Sequence, residues 1–147
     1  MKIRANHLKI IGTLRRNGRA GFSEIAREHG LPITTVYDNY VKLARGGVVR
    51  KHSSIIDYKQ LGFNYRSFIF LKSGRRDELL SFLEAHPSVN SIMKINDYDF
   101  MVDVIFPGMK EFYAFLDVLD DYGLSAIEHH DVVAPVKTEE MPIASRA

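Results

Sequence analysis

Residues 22–47, FSEIAREHGLPITTVYDNYVKLARGG, carry the pattern that decides the fold of the N-terminal part of the chain. Ser23 is a favourable N-cap for a short helix, which Gly30 ends. Pro32 suits the start of the next helix, and a longer helix is expected over residues 33–45. A short helix, a turn containing glycine and a longer helix predict a helix-turn-helix.

In such a unit the longer helix places its N-terminal side chains at base edges in the major groove of DNA. Its apolar positions Ile33, Val36, Tyr40 and Leu43 follow helical spacing and are expected to face inward. The outward positions are polar and of types that bind phosphates or base edges. The predicted DNA contacts are Arg19, Arg27, Thr34, Thr35, Tyr37, Asp38, Asn39, Lys42, Arg45, Arg50 and Lys51. A plain three-helix bundle with a solvated polar face is the alternative.

The formal charge divides sharply along the chain. Residues 1–60 hold twelve Lys and Arg against four Asp and Glu, a balance of +8. Residues 61–147 hold eight against fourteen, a balance of −6, so that the whole chain carries only +2. A basic N-terminal segment favours a polyanion as its partner, and the acidic remainder is expected to have another task.

The segment after the helix-turn-helix, residues 48–57, is predicted to form a β arm with a basic patch at Arg50-Lys51. The pattern breaks at residues 58–62, where we expect the boundary between domains. The predicted division is residues 1–50 for the winged helix-turn-helix, 51–62 for the arm and hinge, and 63–147 for a second domain.

The C-terminal part contains a tandem repeat. Strands are expected over residues 65–71, 91–95, 98–106 and about 125–134, with a helix after the first and after the third. The helix stripes superimpose at an offset of 33 residues, Leu79 on Phe112, Phe82 on Phe115 and Leu83 on Leu116. Two βαβ halves predict an α+β, ferredoxin-like βαββαβ domain. Helices cover one face of such a sheet, and the open face is expected to form a homodimer.

Alternation along the third strand places Asp99 and Asp103 on the same side. Two carboxylates there either lie at the wet edge of the sheet face or bind a ligand that carries an ammonium group. The wet edge is the expectation for Asp103, whereas Asp99, beside a turn, is the better candidate for a site.

The order of these features resembles the Lrp/AsnC family, the leucine-responsive or feast/famine regulators of transcription. The likeness covers nearly the whole chain and rests on order and spacing rather than on one motif. It is carried by Ile10-Ile11 and Leu14 through Asn17-Gly18-Arg19, by Glu24-Ile25-Ala26, by Gly30-Leu31 through Val36, by Leu43 through Gly47-Val48-Val49, by Asp57 to Leu61-Gly62 and by Asp97-Tyr98-Asp99.

The resemblance implies a regulator that binds palindromic double-stranded DNA through paired helix-turn-helix units. It also implies homodimers assembled further into tetramers or octamers, and a free amino acid as effector between dimers. The effector site would involve Asn96, Asp97, Tyr98 and Asp99, and Asn96 stands where the family usually has glycine. Arg4 and His7 replace acids, Pro32 replaces a capping serine and Asn39 replaces an arginine, so a different operator sequence is expected.

Several functional classes are disfavoured. The absence of cysteine excludes disulfides, cysteine zinc sites and thiol catalysis. No apolar run approaches the ~20 residues of a membrane span, so a cytoplasmic protein is expected. The sequence contains no phosphate-binding loop or nucleophile elbow, and His129 and His130 would point to opposite faces of a strand; neither an enzyme nor a cofactor or metal site is expected.

Two alternatives remain. One is a haem-precursor decarboxylase built on the same fold, which would need a basic cleft in the acidic C-terminal half. The other is a ligand-sensing assembly protein without DNA binding, against which the +8 of residues 1–60 argues.

Overall fold

The computed structural model describes residues 1–143 and divides into two compact units. Within the described residues, unit 1 comprises Met1–Ile55 together with residues 137–143, and unit 2 comprises Ile56–Val136. The sequence had assigned residues 63–147 to one domain. That division is corrected, because residues 137–143 fold with the N-terminal unit. In residues 1–143, no helix combines the length and the apolar character needed to cross a membrane.

Unit 1 contains three helices, α1 (Ala5–Arg16), α2 (Phe22–His29) and α3 (Ile33–Arg45). Their apolar stripes meet in a core that contains Ile10, Ile25, Val36 and Leu43, all fully buried. Gly30 ends α2 with φ 62°, a left-handed conformation that glycine adopts without steric cost. The predicted helix-turn-helix is therefore confirmed.

Two local expectations for unit 1 are wrong. The N-cap of α2 is Gly21 rather than Ser23, since Phe22 already lies in the first turn. Ile33 is 53% exposed, because it is the first residue of α3 and precedes the turn that packs on the core. On the outward face, Thr35 and Asn39 are half-buried.

The predicted β arm does not form a strand within the described residues. Residues 50–57 have no regular secondary structure and are exposed; Ile55 and Ile56 are 64% and 45% exposed. A strand requires backbone partners on at least one side. The amides of Val48 and Val49 bond to the carbonyl of Leu43, and Val49 packs on the core of unit 1. The described part of this single chain supplies no strand partner to residues 50–57, so Ile55 and Ile56 stay in solvent.

Unit 2 begins with a short turn of 3-10 helix, Tyr58–Leu61. Strand β1 (Tyr65–Ser73), helix α4 (Arg76–Ala85), strand β2 (Val89–Lys94), strand β3 (Phe100–Phe106), helix α5 (Met109–Leu119) and strand β4 (Leu124–Asp131) then follow in that order. The sheet order is β2-β3-β1-β4, with every neighbouring pair antiparallel. This is the predicted ferredoxin-like βαββαβ arrangement.

One face of this sheet is covered by α4 and α5. Its core contains Ile69, Leu71, Val102 and Val104 from the strands, with Leu79, Leu83, Phe112 and Phe115 from the helices. The repeated helix stripes thus pack on the sheet in equivalent ways. The opposite face carries Phe68, Phe70, Met101 and Asp103, which the registers of β1 and β3 place side by side.

The expectation that Asp103 lies at a wet edge is wrong. Asp103 is 4% exposed, and Arg66 donates from Nε and Nη2 to its two carboxylate oxygens at 2.9 and 2.7 Å. Asn90 donates a third hydrogen bond from Nδ2, at 2.8 Å. The hydrogen bond to Asp103 raises the pKa of Arg66. A buried carboxylate satisfied in this way joins β1, β2 and β3 and is structural.

Candidate nucleic-acid interface

The N-terminus of α3 presents unoccupied backbone donors. Its N-cap, Pro32, makes no side-chain hydrogen bond to the first turn, and that turn contains no acidic residue. The first amide groups of the helix are therefore free, and the helix dipole places a partial positive charge beside them. Thr34, exposed in this first turn, adds a hydroxyl group. The arrangement suits a phosphate or the edge of a base.

Basic side chains follow this helix end along α3 and the extended segment after it. Lys42, Arg45, Arg50 and Lys51 are exposed, as are Arg19 and Arg27 near α2. No carboxylate within residues 1–143 forms a salt bridge with any of these six. Cations without an acidic partner are available to phosphates, whereas paired cations would have to exchange one partner for another.

Aromatic side chains pack together on the outward face of α3. Phe22 contacts Tyr37 edge-on at 5.6 Å between ring centroids and contacts Tyr40 at 5.3 Å. The Tyr40 hydroxyl lies 2.8 Å from Nε2 of His52, and the two rings stack at 6.0 Å. Tyr37 is 52% exposed, so part of its side chain remains open to a ligand although Phe22 packs against it. The arm is thereby tied to α3 at His52.

Sequence reasoning missed Phe22 and Tyr40 as contributors to this surface, whereas His52 was expected to be solvated or to face DNA. Tyr40 had been treated as core because it follows the apolar stripe, yet it is only half-buried. The available signal was its hydroxyl group, which a fully buried position would leave without a partner unless another polar side chain lay near.

Two predicted contacts of α3 also have a role within the helix. Nδ2 of Asn39 donates a hydrogen bond of 2.7 Å to the backbone carbonyl of Thr35. This bond uses one of the two N–H groups of the amide, and Oδ1 remains an acceptor. Asn39 is therefore held in one orientation at the surface, beside the exposed Asp38 and Lys42.

A polar cluster fixes α1 against α2 behind this surface. The buried hydroxyl of Thr13 donates to Oε2 of Glu28 at 3.0 Å and lies 2.8 Å from Nε2 of His29. Arg16 pairs with the same Glu28 carboxylate. Since Glu28 and His29 end α2, this cluster sets the direction in which the chain enters α3.

The loop proposed for an effector, residues 96–99, lies in unit 2 between β2 and β3. Asp97, rather than Asn96, has the left-handed conformation, with φ 68°. Asp99 accepts a hydrogen bond of 2.8 Å from the Ser73 amide and lies 3.6 Å from Nη1 of Arg76. Asp99 and Arg76 border a polar groove that is also lined by Arg75, Glu78, Lys94 and Tyr98, whereas Asn96 and Asp97 do not line it.

Tyr98 joins this loop to strand β4. Its hydroxyl donates to Oε2 of Glu128 at 2.7 Å, and His130 Nε2 lies 2.7 Å from the other carboxylate oxygen. The hydrogen bond to Glu128 raises the pKa of Tyr98, and the same bond lowers the pKa of Glu128. The loop and the edge strand are therefore coupled through a charged hydrogen bond.

Comparison with known sequences agrees with this geometry. A family profile described as winged helix-turn-helix DNA-binding matches residues 3–50. The HTH-type transcriptional regulator FL11 of Pyrococcus horikoshii is 30% identical over 142 residues, which cover 92% of this chain and 93% of the relative. FL11 of Pyrococcus furiosus is 28% identical over 140 residues, with 92% and 93% covered.

Solved structures share the fold over nearly the full length. LrpC of B. subtilis superposes with a TM-score of 0.84 at 18% identity, covering 94% of this chain and 99% of that one. The transcriptional regulator NMB0573 of Neisseria meningitidis, solved as a complex with L-Met, gives 0.83 at 18% identity, with 99% and 97% covered. AsnC of E. coli gives 0.75 at 19% identity, with 94% and 97% covered.

Proposed function

This chain belongs to the Lrp/AsnC family of transcription regulators, and from that premise we propose that it binds palindromic operators as dimers of helix-turn-helix units. The observation that carries the proposal is the surface formed by α3 and residues 50–52. That surface combines a free helix N-terminus with cations that have no acidic partner in residues 1–143. Seven of the predicted DNA contacts are exposed on this surface: Thr34, Tyr37, Asp38, Lys42, Arg45, Arg50 and Lys51.

Each residue type has a distinct task in this proposal. Lys42, Arg45, Arg50 and Lys51 neutralise phosphates, and Arg19 and Arg27 extend the same contact. Asn39 pairs with adenine, and the threonines contact phosphates or thymine methyl groups. Tyr37, supported by Phe22, packs on the sugar-phosphate backbone or on a base.

Self-association follows from two surfaces that a single chain leaves in solvent. The open sheet face of unit 2 presents aromatic and methionine side chains, and residues 50–57 present unpaired backbone. A second copy of the chain covers the open sheet face and pairs with the backbone of residues 50–57. The interface is isologous, which means that both copies use the same patch. The resulting two-fold symmetry is the counterpart of a palindromic site. We further propose that these dimers assemble into tetramers or octamers.

An effector, where one acts, is proposed to bind at residues 96–99. Asp99 supplies a carboxylate for an ammonium group, and Arg75 and Arg76 in the same groove supply cations for a carboxylate. These complementary charges fit a free amino acid, the class of ligand to which the L-Met of the Neisseria relative belongs. Such a ligand changes DNA occupancy only by binding one assembly more tightly than another.

The same proposal makes the chain a cytoplasmic regulator rather than an enzyme. A haem-precursor decarboxylase would need a basic cleft in unit 2, but residues 61–147 carry a formal charge of −6. A sensing protein without DNA binding would have no use for the unpaired cations of unit 1.

Binding to random-sequence duplex DNA over a salt series tests the regulator function. Each phosphate contact contributes roughly −0.9 to the slope of log affinity against log salt. Lys51→Ala should therefore reduce the slope by roughly 1.8 in a dimer, because it removes one contact from each protomer. Lys110→Ala makes the same chemical change at an exposed lysine of unit 2 and should leave the slope unchanged.

A wild-type affinity that barely changes between low and physiological salt would refute DNA binding through this surface. Equal salt slopes for the Lys51→Ala and Lys110→Ala proteins would show that Lys51 contacts no phosphate. The proposed interface would then consist of α3 without residues 50–52.

A further inference from the structure

We propose that α1 carries a docking groove for residues 137–143 of the same chain, and that this C-terminal strap, recognised by Gly12 and Arg15, stabilises the DNA-binding unit. The proposal concerns the face of α1 that the operator-binding surface does not use. Three observations within unit 1 carry it: a charge anchor, a helix position without a side chain, and an apolar lining.

The charge anchor is Arg15, in the last turn of α1. Its Nη1 lies 3.0 Å from Oε2 of Glu139, and its Nε donates a hydrogen bond of 3.3 Å to the backbone carbonyl of Met141. One guanidinium group thus binds both a side chain and the backbone of the strap. Glu139 has φ 53°, an uncommon conformation for a residue other than glycine. The chain turns at the position where its carboxylate meets Arg15.

Gly12 explains how the strap approaches the helix. Glycine in the middle of a helix weakens it relative to alanine, so its presence in α1 calls for a packing reason. A Cβ atom built at Gly12 would lie 2.7 Å from the backbone carbonyl oxygen of Ile143. That separation is shorter than real contacts allow, and the atom that would have to move is backbone. The missing side chain therefore makes room for the strap.

Apolar side chains complete the groove. Ile3, Leu8 and Ile11 line it from the N-terminal side, and Met141 and Ile143 line it from the strap. Leu8 and Ile11 are only half-buried, and Ile11 also packs against the margin of the unit 1 core. The strap shields apolar surface of α1 that the three-helix core leaves at its margin.

The strap begins one residue after unit 2 ends, at the boundary between Val136 and Lys137. The chain therefore connects the two units twice, once at residues 55–56 and once at residues 136–137. With the strap seated, the stability of α1 depends on a segment that continues directly from unit 2.

Amide hydrogen exchange of α1 peptides, measured by mass spectrometry, tests the role of Gly12. In a chain that ends after Val136, Gly12→Ala should slow exchange in α1 roughly four- to fivefold, the advantage of alanine over glycine in a helix. In the full chain the same substitution should speed exchange or leave it unchanged, because the new methyl group displaces the strap. Equal slowing in both chains would overturn the proposal.

Charge variants of the full chain give a second test that does not need the shortened chain to fold. Glu139→Arg should speed exchange in α1 by about two- to fivefold, the range for losing one exposed ion pair. Glu84→Arg, the same change of charge at an exposed glutamate of α4 without a salt bridge in residues 1–143, should not. Adding Arg15→Glu to Glu139→Arg should restore slow exchange.

Equal rates of amide exchange in α1 for the two glutamate variants would show that the Arg15–Glu139 ion pair does not hold the strap on α1. A mixture of Arg15→Glu chains with Glu139→Arg chains separates the two possible sources of the strap. Slow exchange restored by mixing alone would show that the strap comes from a second copy, which would overturn docking within one chain.

Discussion

Asn39→Ala is the substitution that separates base recognition from general DNA affinity. Adenine is recognised through one donor and one acceptor, which an amide can match. The bond of Asn39 to the carbonyl of Thr35, 2.7 Å long, uses one N–H and leaves one N–H and Oδ1. Both groups needed for adenine thus remain available in the observed rotamer. Loss of such a pair should cost about 1–3 kcal/mol per half-site at one base position.

The variant should remain folded. Alanine has a higher helix propensity than asparagine by up to ~0.7 kcal/mol, which offsets the lost bond to Thr35. A change in DNA affinity can therefore be assigned to the interface rather than to unfolding. Selection of bound duplexes from a random pool should give a consensus in which one position per half-site has lost its preference.

Lys42→Ala provides the comparison. Lys42 is exposed on the same helix, three positions along, and has no salt-bridge partner in residues 1–143. Its loss should weaken binding to all sequences by a similar factor and lower the salt slope by roughly 0.9 per contact. If Asn39→Ala also weakens every sequence equally, Asn39 serves only the helix through Thr35, and the assignment as a reader is refuted.

Two further predictions concern unit 2. Asp103→Ala leaves the guanidinium of Arg66 without its partner and should destabilise unit 2 by ~3 kcal/mol in denaturant unfolding, the lower end for a broken buried pair because Arg66 is partly solvated. The double substitution Asp103→Leu with Arg66→Met should destabilise unit 2 less. An unchanged unfolding midpoint for Asp103→Ala would contradict the structural role of Asp103. The pKa of Glu128 is lowered by the hydrogen bond from Tyr98 and by His130, so its contribution to stability should be present above the ordinary value of 4.5 and be lost as pH falls through the folded-state pKa. Tyr98→Phe should flatten this acid limb in thermal unfolding, and an unaltered limb would show that the bond contributes nothing.

Much of this architecture could be predicted because it is encoded locally. The apolar periods of 3.6 and 2 identified α3, α5 and β3, and the repeat of 33 residues predicted the βαββαβ order. The charge imbalance between residues 1–60 and 61–147 identified the DNA-binding half without reference to any contact. The residues proposed to bind DNA came from this same local pattern, which states residue type and helical face.

Other features could not be predicted because they depend on partners distant in sequence. Asp103 was assigned to a wet edge since alternation shows only its side of the sheet, and Arg66, 37 positions earlier, is what buries and satisfies it. Residues 48–57 have the composition of a strand, but strand formation requires a partner that the described part of this chain does not supply.

The sequence by itself determined the order of helices and strands, the faces that become apolar, and the location of positive charge, because each follows from short-range periodicity and composition. Only the tertiary structure decided where residues 137–143 lie, since a segment of seven residues has no periodicity that would name its partner. The segment contacts Gly12, which has no side chain to block its approach, and the guanidinium of Arg15, and both residues lie more than 120 positions earlier in the chain.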